Sequence, residues 1–406
     1  MIPRSGHTAN KDVYEIDADI YQRFPVLKQA FVTVGQKDTG QIGIMFSLGK
    51  MFETMALNIK ECVPGKSRID YAFDAGANAM NLILGAYGMP NSQFLRWDPL
   101  YIPEFLREKQ LDADPSGLTT LVKKAAGLYG SDLVGITTLD SRWIYESDLL
   151  KLFVLADEGH PHETDKEFVI PHSVNRAIVL AVAMDMELIE TSPQVPASTA
   201  ASLGYSRMGI TAVSLAEFIR SLGFTAIPCM NDTALSIPLA VDAGLGELGR
   251  NGLLITPEYG PGIRLCKVLT DMPLNTDKPV DFGINDFCRQ CLLCAEHCPS
   301  GAISTGSQYF TGVCENNNPG VKKWYINAGE CLRFWQKNGA GCANCIAVCP
   351  FSAGFEGSQC VKCIRCDTTN SCSLQAVAFL RAKHGYLKAP LWGTKPISTL
   401  LTRAEL

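Results

Sequence analysis

Hydrophobic positions recur along this chain at two periods, and the changes between them mark its organisation. Between Leu118 and Leu128 apolar residues are spaced as on one helix face; Val213, Ala216, Ile219 and Leu222 repeat that spacing before Gly223 stops it. Leu133–Thr137, Thr225–Ile227 and Leu253–Thr256 are short β-rich runs that predict strands, and Ile263–Leu269 alternates like one. Ala177–Ala183 is apolar without a break, as expected of a strand covered on both faces. Strands separated by helical stretches predict an α/β (α+β) core over 116–284. Residues 1–115 are irregular in pattern and are assigned to an N-terminal unit, with a Pro/aromatic stretch around Trp97 and Tyr101. The polar segment 155–175, which holds His160 and His162, predicts a surface excursion.

Composition narrows the class. The chain has 406 residues, is 47% apolar and carries a net charge of only -5, which excludes disorder as its dominant state. A pI near 5.8 argues against a phosphate-binding surface, so no nucleic-acid partner is expected. The longest strongly apolar run, Ala177–Met184, is far short of the ~20 residues of a membrane helix. The N-terminus lacks the charged-then-apolar pattern of a secretory signal.

Thirteen of the 16 cysteines lie between Cys288 and Cys372. Such crowding late in a long chain favours metal over disulfides. Cys288-x2-Cys291-x2-Cys294-x3-Cys298-Pro299 is the bacterial ferredoxin ligand run, and Cys331-x10-Cys342-x2-Cys345-x3-Cys349-Pro350 follows it. In such runs the fourth cysteine serves the other cluster. One [4Fe-4S] cluster is therefore assigned to Cys288, Cys291, Cys294 and Cys349, and a second to Cys298, Cys331, Cys342 and Cys345. Four-cysteine zinc sites also use paired C-x2-C motifs, but they do not need this interleaving. Cys314, between the runs, is an alternative fourth ligand of the second cluster. Residues 285–352 thus form a ferredoxin-like module, and 353–406 a C-terminal segment packing on the core. Cys360, Cys363, Cys366 and Cys372 in that segment suit a third metal site, or stand as free thiols.

Gly244-Leu245-Gly246-Glu247-Leu248-Gly249 matches G-x-G-x-x-G, yet Pro238 interrupts the preceding segment and a turn and strand follow. A dinucleotide site needs a strand before and a helix after, so this reading is rejected. The glycines still imply a close backbone approach. No Asp-x-His-x-x-Gly run exists, so a cobalamin held through a lower histidine is not indicated.

The segments Gly204-Tyr205-Ser206-Arg207-Met208, Ile227-Pro228-Cys229-Met230-Asn231-Asp232-Thr233 and Ala243–Arg250, followed by the double cysteine run, resemble the corrinoid-dependent reductive dehalogenases of organohalide-respiring bacteria. The resemblance covers 116–350 and implies a nitroreductase-like cobalamin-binding core with a ferredoxin-like double [4Fe-4S] module. It implies a base-off cobalamin that receives electrons through the two clusters and replaces a halogen by hydrogen in a small chlorinated alkane or alkene. Tyr205 matches the family's proton-donating tyrosine, Arg264 is the first choice for the cation that readies it, and Asn231 matches an active-site asparagine. Trp335, and by aromatic clustering Trp97 and Tyr101, are expected to wall the substrate pocket. Gly244, Gly246, Gly249 and Arg250 are expected against the corrinoid. His297, beside Cys298, is expected to tune or shield a cluster.

The implied partners are an electron-donor protein or quinol-linked complex and a small membrane anchor protein, with a homodimer as one option. The implied location is the outer face of the cytoplasmic membrane once an export signal is removed, or the cytoplasm if none was. Two other readings stand beside this one. Epoxyqueuosine reductase of tRNA modification would want a basic surface and helical repeats. A pure iron–sulfur electron carrier would leave the core without a task.

Overall fold

The computed structural model describes residues 7–8, 13–34, 43–86, 88, 94–100, 106, 108–157 and 159–352. Tyr101 and the Cys360, Cys363, Cys366 and Cys372 set lie outside the described residues, as does the C-terminal segment 353–406.

After a short strand at His7–Thr8 and a helical turn at Ala30–Thr33 come three helices: α1 (Gly43–Lys60), α2 (Arg68–Ala77) and α3 (Ala79–Ala86). The sequence pattern here was read as irregular. The helices escape that reading because many of their apolar side chains, such as Phe52, Phe73 and Leu82, are exposed, which blurs the periodicity. Helix α2 is set by a capping box in which Ser67 and Asp70 satisfy each other's backbone N–H. Helix α4 (Pro115–Leu128) starts at Asp114, whose carboxylate accepts from Ser116 and Gly117, with Pro115 in the first turn.

The core is a four-stranded sheet of β1 (Leu133–Thr138), β5 (Arg176–Ala183), β6 (Ala226–Cys229) and β9 (Ile263–Thr270), in the order β1-β5-β9-β6. Every pairing in it is antiparallel, which makes the architecture α+β. The unbroken apolar run of β5 is buried on both faces as expected. One face is covered by α4 and by the 27-residue α5 (Val195–Ser221), which sets Met208, Ala212, Leu215 and Ile219 against Ile178, Leu180, Cys266 and Val268. The other face packs on α6 (Ser236–Asp242) and on Phe153, Phe168 and Ile170.

Those aromatics correct the expectation for 155–175. The segment contributes β3 (His162–Glu163) and β4 (Glu167–Pro171) to a small sheet with β2 (Leu152–Ala156), in the order β2-β4-β3. Phe168, Val169 and Ile170 are buried; the charges on either side of this short apolar triplet mask it.

The glycine-rich stretch forms a hairpin of β7 (Glu247–Leu248) and β8 (Leu254–Ile255), consistent with the rejected dinucleotide reading. The cysteine module follows, with α7 (Ile284–Gln290), α8 (Leu293–Glu296), α9 (Ala328–Asn338) and α10 (Asn344–Ala347). Among the described residues no helix is long and apolar enough to cross a membrane.

Candidate active site and iron–sulfur module

Strand β9 carries two faces with two tasks. Its period of two sends Arg264, Cys266 and Val268 toward α5, and Leu265, Lys267 and Leu269 toward α6. Arg264, opposite Val182 in the register, therefore meets Tyr205 on α5. Its Nη1 lies 3.5 Å from the Tyr205 hydroxyl, and its guanidinium carbon stands 4.6 Å from the ring centre. Asn231 donates to the same hydroxyl from Nδ2 at 2.8 Å. The structure thus brings together the three residues singled out as catalytic, from α5, the turn after β6, and β9.

Two residues that sequence reasoning missed hold this trio. Gly204 precedes Tyr205 inside α5, and a Cβ there would lie 2.8 Å from Cγ of Arg264; the helix admits the arginine stem because it has no side chain at that point. Lys267, fully buried, donates from Nζ to Met230 O at 2.6 Å and Ser236 Oγ at 3.1 Å, which pins the turn that presents Asn231. Burial lowers its pKa. Asp232 accepts from Met230 N at 2.9 Å, and Thr233 takes a left-handed φ of 64°, unusual for a β-branched residue. A lysine in an otherwise apolar alternating strand was the available signal for Lys267.

Asn231 lines a cavity of about 610 Å³. Its walls are largely aromatic and aliphatic, with Trp143, Trp324, Tyr325 and Trp335 among them. Trp335 is where the sequence reading put it, with Phe31 edge-on at 6.0 Å and a buried Nε1 that has no partner. Trp97 is not among the lining residues. It is buried in the core, its ring 5.5 Å from that of Phe168, because residues 94–98 run under the small sheet rather than toward the cavity.

The expected corrinoid contacts of the glycines are corrected as well. A Cβ at Gly244 would lie 2.3 Å from Lys278 O, one at Gly246 2.2 Å from Ile255 O, and one at Gly249 2.9 Å from Asn251 Oδ1. The close approach is real, but it is made by the protein's own chain. Arg250 is 2% exposed and donates to Cys288 O at 2.9 Å, Ser304 O at 2.8 Å and Gly306 O at 2.9 Å, with its guanidinium 4.5 Å from the centre of the Trp324 ring. It clamps the cysteine loops instead of reaching into the cavity.

The eight candidate cysteines interact mainly within the two groups expected, with Cys345 reaching Cys294 of the other group as well. Cys349 is pushed up first by burial and then by Cys288, Cys291 and Cys294. Cys331 is pushed up to about 12 by burial, with Cys342 and Cys298 adding to it, and Cys345 feels Cys342, Cys294, Cys331 and Cys298. Cys314 turns its Sγ to Ile326 O at 3.9 Å. Among the described residues no three His, Cys, Asp or Glu converge at the spacing of a single-ion site. The first set is wrapped by Ile255, Phe287, Leu293, Val348 and Phe351. Of the eight, Cys331 alone lines the cavity. His297 turns Nδ1 to Leu293 O at 2.9 Å.

Comparison with known proteins agrees with this geometry. Residues 145–274 match the family model of the reductive dehalogenase subunit, and 287–352 match that of a 4Fe-4S double cluster binding domain. The tetrachloroethene reductive dehalogenase of Sulfurospirillum multivorans is 37% identical over 314 residues, 71% of this chain. The chain belongs to the reductive dehalogenase family. It spans 62% of that relative and 47% of the tetrachloroethene reductive dehalogenase of Dehalobacter restrictus, to which it is 41% identical over 261 residues. A catabolic reductive dehalogenase solved with 3-bromo-4-hydroxybenzoic acid superposes over 96% of this chain and 50% of its own, with a TM-score of 0.66 at 21% identity, so the two share a fold. Epoxyqueuosine reductases align at lower identity, 27% over 248 residues for that of Listeria monocytogenes. The match to the dehalogenase family model falls in the core, outside the cysteine module.

The residues present fit both cofactors of the resemblance. Two half-buried four-thiol sets suit two cubane clusters. The cavity suits a large, mostly apolar ligand bearing amides: it offers the unpartnered Trp335 Nε1 and the polar side chains of Asn231, Ser236 and Asn318. No histidine occurs among its described lining residues.

Proposed function

We propose that the chain catalyses reductive dehalogenation of a small organohalide, a chlorinated alkane or alkene, with a cobalamin in the 610 Å³ cavity. The observation that carries this reading is the convergence of Asn231 and Arg264 on the Tyr205 hydroxyl, with Asn231 forming cavity wall. A reduced corrinoid supplies the low-potential electrons that break a carbon–halogen bond. Tyr205 then delivers the proton that replaces the halogen. Arg264 favours the phenolate left behind, because a cation close to the oxygen offsets its charge. Asn231 donates to the same oxygen and fixes where the hydroxyl points. Trp335 and the other aromatic walls exclude water and offer an apolar surface to a substrate with few hydrogen-bonding groups.

Cys288, Cys291, Cys294 and Cys349 would hold one cluster and Cys298, Cys331, Cys342 and Cys345 the other, and the two would supply electrons to the cavity, whose wall Cys331 forms. An external electron donor and a peripheral place on the outer face of the cytoplasmic membrane, held by a small anchor, belong to the same proposal. The absence of histidine from the described lining supports a base-off cobalamin.

The test is anaerobic purification with cobalt and iron quantification, followed by halide release from a panel of chlorinated solvents. About one cobalt and eight irons with halide release are expected for two cubanes. Iron without corrinoid binding, even after reconstitution, would refute the reading.

A further inference from the structure

Lys323 is the one charged side chain among the described residues that line the cavity, and no carboxylate lines it. Its neighbour Lys322 points outward and pairs with Glu15 at 2.9 Å. The Nζ of Lys323 has no hydrogen-bond partner among the described residues, and its nearest aromatic neighbour is the Tyr325 ring, 4.9 Å from centre to nitrogen. Burial alone pulls its pKa down to about 8, and no acid stands close enough to oppose that. Lys323 is half-buried at the cavity wall, and a cation partly withdrawn from water without a counter-charge is costly. Serine, methionine or leucine at this position would remove the cost. The cavity therefore calls for a ligand that brings a negative charge to this wall.

Cofactor chemistry narrows which one. A corrinoid with its nucleotide loop carries a single phosphodiester, a monoanion at any working pH. One lysine ammonium, with three donors, matches one such group. A halide or free inorganic phosphate would present the same charge to the same nitrogen. We propose that Lys323 binds the phosphodiester of the corrinoid's nucleotide loop, and so fixes which way round the cofactor lies in the cavity. The inference rests on the corrinoid reading of the preceding section, and its test separates the two.

The experiment uses the full chain with its clusters in place and measures corrinoid binding rather than turnover. Cobalamin, cobinamide (which lacks the phosphate and nucleotide) and cobinamide phosphate are each titrated into the wild type, Lys323→Met, Lys323→Arg and Lys322→Gln. Lys323→Met is expected to weaken cobalamin and cobinamide phosphate by about tenfold or more, the loss typical of a charge-assisted hydrogen bond, and to leave cobinamide unchanged. Lys323→Arg keeps the charge and should bind all three within a few-fold of wild type. Lys322→Gln should change nothing. An equal loss for cobinamide, or no loss for cobinamide phosphate, would overturn the inference. So would chloride or inorganic phosphate that binds through Lys323 alongside cobalamin without displacing its affinity. Failure of every corrinoid to bind wild-type protein would instead bring down the proposed function itself.

Discussion

Gly204→Ala isolates the arginine of the proposed site without touching it. The new Cβ would stand 2.8 Å from Cγ of Arg264 and 3.6 Å from its Cβ. Carbon contacts settle at about 3.5–4.0 Å, so the arginine stem must retreat by about 1 Å. The stem is anchored at its own Cβ on β9, so the guanidinium swings off the Tyr205 ring. At the present 3.5 Å and an effective dielectric of about 20, a full phenolate charge would gain about 5 kcal/mol from this cation, and a 1 Å retreat loses about 1 kcal/mol of it. That alone is about fivefold in rate, and misalignment of a positioned group raises the loss toward about 100-fold. Stability moves the other way or not at all, since alanine is favoured over glycine in a helix interior by about 1 kcal/mol. The assay is anaerobic halide release with an artificial low-potential donor, alongside a thermal midpoint and iron content. The expected signature is a fall in kcat with normal iron, normal corrinoid binding and an unchanged or higher midpoint. Activity within twofold of wild type would refute the argument that Gly204 makes room for Arg264. Loss of activity together with iron would show that the substitution disturbs packing instead.

The other predictions address the proton, the outer cluster and pH. Tyr205→Phe should cost about 10²–10⁴-fold in kcat while corrinoid binding persists, and Arg264→Lys should retain more activity than Arg264→Met; equal losses in the two arginine variants would count against a charge effect. Arg250→Gln should lower the midpoint potential of the Cys288, Cys291, Cys294 and Cys349 cluster and leave the other unmoved, since it removes a buried cation beside those thiols; a redox titration followed by electron paramagnetic resonance checks it. Glu247, whose carboxylate caps the start of α7, is raised by burial to about 7. Its contribution to stability is complete below the unfolded carboxyl pKa of about 4.3 and is lost as pH rises through about 7, on the order of 3–4 kcal/mol. Glu247→Gln should flatten that decline in urea midpoints measured from pH 4.5 to 8, and an unchanged profile would remove Glu247 as its source.

Legibility followed the distance in sequence between the groups that cooperate. Cluster ligands are spaced a few residues apart because successive thiolates must reach corners of one cubane, so Cys288 to Cys298 declared themselves, and the motif also carried the exchange of Cys349 and Cys298. The strands of the central sheet were equally plain, since β5 and β9 are buried along their length and their composition shows it. Helices α1 to α3 were not, because exposed Phe52, Phe73 and Leu82 break the one-sided pattern on which such readings depend. The glycines of 244–249 misled for another reason. A Cβ-free position announces a close approach but not what approaches, and here it is Lys278 and Ile255 of the same chain.

The cavity is the extreme case. Its wall is drawn from Tyr14 through Trp335, and although the segment from Asn316 to Trp335 supplies much of it, its mix of residue types matches no chemical motif. Tyr205 could be named because its flanking residues resemble a family, yet the way Gly204 and Lys267 hold its partners in place shows only in the fold, although a lysine among the apolar residues of β9 hinted at the second. Arg250 and Lys323 show how one residue type divides once the fold is known. Arg250 is buried and Lys323 half-buried, neither beside a carboxylate, so each is costly until something answers its charge. Arg250 is answered from within, by carbonyls of the cysteine loops and by the thiols of one cluster. Lys323 has no answer among the described residues and faces the empty volume. A fold that keeps such a charge at the cavity wall is organised around the ligand that neutralises it, and the chemistry of that ligand is therefore written into the protein at Lys323 as much as at Tyr205.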